Sequence, residues 1–92
     1  MNITKQTLFI SRKAKAKELE SLLSTLSQLT QNNQECVLSS VYQCNDEVNE
    51  FLLYEQWTSE NSFINFRKSD IYKDFQRKSE LLVLKSEVLK LD

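Results

Sequence analysis

The sequence predicts a single α+β domain spanning residues 1–92, with elements in the order β-α-β-β-α-β. Three observations carry that prediction. Leucines at 19, 22, 23, 26 and 29 mark one long amphipathic helix. Residues 36–44, CVLSSVYQC, and residues 50–58, EFLLYEQWT, form two strand-like runs around an Asn/Asp-rich turn. Residues 51–75 then change from strand alternation to aromatics at helical spacing.

The elements follow in chain order. Residues 3–11 mix β-branched and aromatic side chains with polar ones and predict a first strand. The basic run Arg12, Lys13, Lys15, Lys17 precedes a helix expected over residues 13–31, and next to Glu18 and Glu20 it reads as a solvated first turn. The two runs at 36–44 and 50–58 make an antiparallel hairpin. In its second arm Phe51, Leu53, Glu55 and Trp57 share one face and Leu52, Tyr54 and Gln56 the other. Both faces are largely apolar, so both call for a cover, and a second copy of the chain is the natural cover for the face that the helices leave open. Ser59 and then Ser69 or Asp70 are placed to cap two successive short helices, the first carrying Phe63 and Phe66, the second Ile71, Tyr72 and Phe75 and running to about Leu82. Residues 87–91 complete the order as a last strand. Two helical segments crossing one face of a four-stranded antiparallel sheet is the ferredoxin-like arrangement.

Composition narrows the function. The 92 residues suffice for one core but bury only roughly 60–65% of the unfolded surface, so a partner's cover would help. Twelve basic and thirteen acidic residues nearly cancel, which argues against nucleic acid or an anionic membrane as partner. No apolar run is long enough to span a bilayer, and the N-terminus lacks a basic leader followed by an apolar stretch, so the chain is read as soluble and cytoplasmic. The chain has no histidine, and so lacks the commonest general base and metal ligand. It has no glycine, which excludes the glycine-dependent phosphate loops. Without glycine or proline, turns and positive φ angles are expected mainly at Asn and Asp, at 32–33, 45–49 and 69–70. Cys36 and Cys44 would stand about 26 Å apart on one strand, too far to bridge, and with no histidine they offer no zinc or redox spacing.

The segment Leu53-Tyr54-Glu55-Gln56-Trp57, followed by Ser59-Glu60 and by Ser69-Asp70-Ile71-Tyr72 with Phe75, resembles the antibiotic biosynthesis monooxygenase family, whose hallmark is a strand close to LYEVW, a short helix and an S-P-H-F-like junction. Cys36 and Tyr42 also stand where that family often has cysteine and tyrosine. The resemblance implies a dimeric α+β barrel, in which two sheets pack face to face, and a cavity between helices and sheet in each protomer. It implies a range of activities, from oxygenation of quinols or anthrones without metal or flavin to haem degradation, alongside dimers that only bind. The chain departs from the pattern at Phe66 and Ile71, where members often carry histidine, and at Asp70 in place of proline. Gln76 aligns with the iron-ligating histidine of the haem-degrading branch, and glutamine is not a usual axial ligand.

Within that resemblance the expected activity is a cofactor-independent monooxygenase acting on a small aromatic molecule such as a quinol or anthrone. Such chemistry needs an apolar cavity, removal of a phenolic or enolic proton, and exclusion of water. Glu55, in an apolar strand, is the expected catalytic base, since burial would make it a stronger one. The alternative for Glu55 is an ion pair with Arg67, Arg77 or a lysine. Trp57 serves either as a core anchor or as a stacking wall for the substrate. Tyr72, at the helix junction, is the preferred hydroxyl donor, with Phe66, Asn65 and Tyr42 as further substrate contacts. No metal site and no cofactor are expected. A non-catalytic dimer that binds a small ligand, or one with a packed and closed cavity, are the competing readings.

Overall fold

The computed structural model describes residues 2–89. Seven elements follow one another: β1 (Ile3–Ser11), α1 (Ala16–Gln31), β2 (Cys36–Gln43), β3 (Glu50–Trp57), α2 (Glu60–Arg67), α3 (Asp70–Ser79) and β4 (Val83–Leu89). The strands form one antiparallel sheet in the order β2-β3-β1-β4. This is the expected ferredoxin-like arrangement, with the second helical segment broken in two.

The break between α2 and α3 is built by two serines. Ser59 Oγ accepts the backbone N–H of Ser62 at 3.1 Å, and Ser69 Oγ accepts that of Tyr72 at 3.3 Å. Each serine satisfies an N–H that the first helical turn leaves without a partner. Ser69 also donates to the Phe66 carbonyl at 2.6 Å, so one hydroxyl closes α2 and opens α3.

The core lies between the sheet and the helices. Phe51, Leu53, Glu55 and Trp57 of β3 are buried there, with Phe9 of β1, Leu19, Leu23 and Leu26 of α1, Phe66 of α2 and Phe75 of α3. Ser27 of α1 and Ser39 of β2 join their hydroxyls at 2.9 Å inside it. On the opposite face of the sheet, Tyr42, Leu52 and Leu8 stand side by side across β2, β3 and β1. No helix among the described residues covers them: Leu8 and Leu52 are half-buried and Tyr42 is 54% exposed.

Boundaries differ from the expected ones at the start of α1, the end of α3 and the start of β4. The long helix starts at Ala16 rather than residue 13, because residues 12–15 turn: Lys15 N–H bonds to the Arg12 carbonyl at 3.0 Å, and Ala14 takes φ 63°. Among the described residues, Ala14 is the residue with positive φ, where Asn or Asp was expected. At the predicted Asn32-Asn33 turn, Asn32 stays right-handed at φ −74°. The Asn33 side chain makes that turn instead by accepting the Glu35 N–H at 2.9 Å. The helix α3 stops at Ser79 rather than near Leu82, and β4 begins at Val83 rather than residue 87. Its start is pinned by Arg12 N–H bonding to the Leu82 carbonyl at 2.8 Å. Residues 90 and 91 of the expected last strand lie outside the described residues.

Candidate functional site

The β3 alternation that buries Leu53 and Trp57 also turns Glu55 inward, and it is 1% exposed. A buried carboxylate needs partners. Glu55 has two: Arg67 Nη2 donates to Oε1 at 2.7 Å, and the Trp57 indole N–H donates to Oε2 at 3.0 Å. Of the two roles weighed for Glu55, the structure contains the ion pair, with Arg67. Trp57 is fully buried, and its indole N–H finds the Glu55 carboxylate.

Arg67 is itself layered between aromatic rings. Its guanidinium carbon lies 4.6 Å from the Phe63 centroid and 4.2 Å from that of Tyr72. Phe63 has Lys5 on it as well, with Nζ 5.0 Å from the centroid and paired to Glu60 at 3.0 Å. The i, i+4 spacing of Phe63 and Arg67 on α2 places both on one helix face, and the Ser69 cap turns the chain so that Tyr72 meets them from α3. A run of ring contacts continues through the core: Trp57 to Phe66 at 5.3 Å, Phe66 to Tyr72 at 6.1 Å, Tyr72 to Phe75 at 5.4 Å, and Phe75 edge-on to Phe9 at 5.9 Å.

Where one pocket was expected, the contacts divide between two clefts on either side of this aromatic wall. A cleft of about 370 Å³ between α3, β1 and β4 is lined by Tyr72, Phe75, Phe9 and Val83, with Gln76, Ser79, Glu80 and Ser86 as its polar groups. A second, of about 310 Å³, opens where α1 ends against the α2–α3 junction and is lined by Phe66, Asn65, Leu29, Ile71 and Asn32 among others. Tyr72 therefore belongs to the first, and Phe66 and Asn65 to the second. Glu55 and Trp57 line neither. Tyr42 is brought to neither: its register partner is Leu52, on the sheet's other face.

Electrostatics at the site follow from burial. Burial pushes the Tyr72 phenol up from its ordinary value, against the lowering by the Arg67 guanidinium and with the raising by Glu55. Tyr72 is thus a neutral hydroxyl donor through the physiological range. The Cys36 thiol, opposite Trp57 on β2, is also pushed up, first by burial and then by Glu55, so it stays a thiol. Among the described residues no group of three or more His, Cys, Asp and Glu side chains is placed to hold a metal ion.

Sequence reasoning missed Phe9, Gln76 and Ser86 as cleft residues and Phe63 as the second ring on Arg67. The Phe63/Arg67 spacing was a usable signal for the last. Nothing local marks Phe9 or Ser86, which reach the cleft only through the pairing of β1 with β4.

The fold and this cluster define a ferredoxin-like domain with a small cleft beside α3. The model of the antibiotic biosynthesis monooxygenase family matches residues 3–78, and the chain belongs to that family. Solved structures agree in fold. PA3566 from Pseudomonas aeruginosa superposes with TM-score 0.89 at 19% identity, over 96% of this chain and 89% of that one. SO0527 from Shewanella oneidensis gives 0.89 at 20%, over 96% and 86%. Rv0793 from Mycobacterium tuberculosis gives 0.85 at 22%, over 100% and 97%. No curated protein matches the chain.

Proposed function

We propose that this protein is a homodimeric monooxygenase that oxidises a small flat quinol or anthrone without metal or flavin, in the cleft between α3, β1 and β4. The observation that carries the reading is Tyr72: a neutral phenol on the wall of an aromatic-lined cleft, in a chain of this family. Phe9 and Phe75 supply ring faces for the substrate, and Gln76 and Ser86 supply polar contacts at its edge.

The reaction for an anthrone balances without a further reductant. The ring methylene loses a proton, the carbanion passes an electron to dioxygen, and the radical pair joins as a hydroperoxide. Loss of water leaves a carbonyl, so one anthrone and one dioxygen give one quinone and one water. Tyr72 donates its O–H to the oxygen on which the carbanion's charge is delocalised, a hydrogen bond that strengthens as the charge develops. Glu55 acts here through Arg67, since both its oxygens are engaged and it is sealed from the cleft. The proton that the ring methylene loses passes to a base in the solvent at the cleft mouth, and a proton returns there to the peroxide oxygen before water is lost.

The second reading, a dimer that binds such a ligand without turnover, is favoured by that same sealing of Glu55. An oxygen electrode with a panel of hydroxyanthrones and naphthoquinols separates the two. We expect uptake matched by quinone formation, and a loss of about tenfold or more in Tyr72→Phe. Saturable binding with uptake no faster than the protein-free solution across the panel would establish the second reading instead.

A further inference from the structure

We propose that Arg67, clamped by Glu55, is the positioning residue of the site: it fixes the Tyr72 ring at the cleft wall and sets the charge the ring faces. This rests on the assignment of the Tyr72 cleft as the substrate site. The geometry is that of a clamp. One terminal nitrogen of the guanidinium is tied to a buried carboxylate at 2.7 Å, while its central carbon lies over the ring that borders the cleft, 4.2 Å from the centroid.

Stability alone does not account for this arrangement. A buried ion pair is often matched or bettered by apolar residues of the same volume. Moreover, the buried Arg67 Nη1 has no hydrogen-bond partner among the described residues, which works against stability. The guanidinium gives up that bond and in return lies between two ring faces, Phe63 and Tyr72. Lysine cannot reproduce the contact, because a point charge on a flexible stem neither stacks nor forks.

The charged groups around Tyr72 are few. Arg67 faces it from α2, and Glu55 lies behind Arg67 on β3. Glu80, at the end of α3, shares the cleft lining, whose β1 and β4 residues, Phe9, Val83 and Ser86, are uncharged. Lys5 of β1 contacts Phe63 and Glu60. Arg67 stabilises the tyrosinate and Glu55 disfavours it.

The test uses the full chain carrying Tyr42→Phe and Tyr54→Phe, so that Tyr72 is the tyrosine that titrates, read by tyrosinate ultraviolet absorbance. Arg67→Met is expected to move the Tyr72 midpoint up and Glu55→Gln to move it down. Opposite shifts are a signature that a general loosening of the core would not produce. If Arg67→Met fails to fold, Glu55→Gln decides alone: an unchanged or raised midpoint in the folded variant overturns the proposal. In the oxygen assay Arg67→Lys, which keeps the charge, should lower kcat about tenfold. The titration needs no turnover, so a protein that consumes no oxygen but shows opposite shifts refutes the function and leaves the clamp standing. Turnover without those shifts overturns the clamp alone.

Discussion

At the scale of single residues, the site is a set of side chains whose charges are settled by what touches them. Tyr72 makes the clearest case for pH. Its phenol is raised above the ordinary value of 10.0, chiefly by burial, so the folded chain holds that proton more tightly than the unfolded one. The associated stability is therefore fully present below about pH 10 and is lost as pH rises through the folded value. Thermal melts at stepped alkaline pH should show a fall in stability that is reduced in Tyr72→Phe; identical alkaline profiles for the two proteins would contradict the assignment. The sequence favours Tyr72 over the other tyrosines because it lies at a helix junction expected to border a pocket. The sequence also marked Glu55 as buried, since β3 alternation is unambiguous, but left its partner open among Arg67, Arg77 and the lysines. What selects Arg67 is how the two helices sit on the sheet: α2 packs against β3 and brings Arg67 to Glu55, whereas Arg77 pairs with Asp74 of its own helix α3. The division of Phe66 and Asn65 from Tyr72 into separate clefts escaped for the same reason. Residues three to seven apart near a helix break can point to opposite sides of it.

At the scale of elements, what was readable depended on whether a boundary is made locally. The strand β1 and the hairpin β2–β3 follow from alternation and from the turn residues between them, and both helix starts at Ser59 and Ser69 follow from capping chemistry. The starts of α1 and β4 depend on a contact between distant segments, since Arg12 bonds to Leu82 and the chain must turn sharply before α1 can begin. That turn puts Ala14 at φ 63°, a conformation that costs an alanine roughly 1 kcal/mol for the crowding of its Cβ. Glycine takes it without that crowding. Ala14→Gly, exposed and outside any regular element, should accordingly raise the unfolding free energy by about 0.5–1 kcal/mol, measured by urea denaturation. A destabilisation of that size would mean that the left-handed conformation is absent in solution.

At the scale of the whole molecule, the sheet has one face it can cover and one it cannot. The helices bury Phe51, Leu53, Glu55 and Trp57, while the row Tyr42, Leu52 and Leu8 runs across three strands on the outer face with no element among the described residues above it. Leaving such a row in water forgoes about 25 cal/mol for each Å² of apolar area that a partner would cover. A domain this small has little core stability to spare. A two-fold pairing of identical faces meets the need, because a row centred on Leu52 is available on both copies at once. No helix among the described residues is long and apolar enough to cross a membrane, so lipid covering through such a helix is not the alternative. Leu52→Glu puts a charge at the centre of that row while leaving the helix-covered core untouched. In light scattering coupled to size exclusion, the wild-type chain should run at twice its monomer mass at micromolar concentration, and Leu52→Glu at the monomer mass with a lower melting temperature. Tyr42→Glu, at the exposed edge of the row, should weaken the dimer less than Leu52→Glu, since an edge charge can keep its water. A wild-type chain that stays monomeric over that range would rule out the face-to-face dimer.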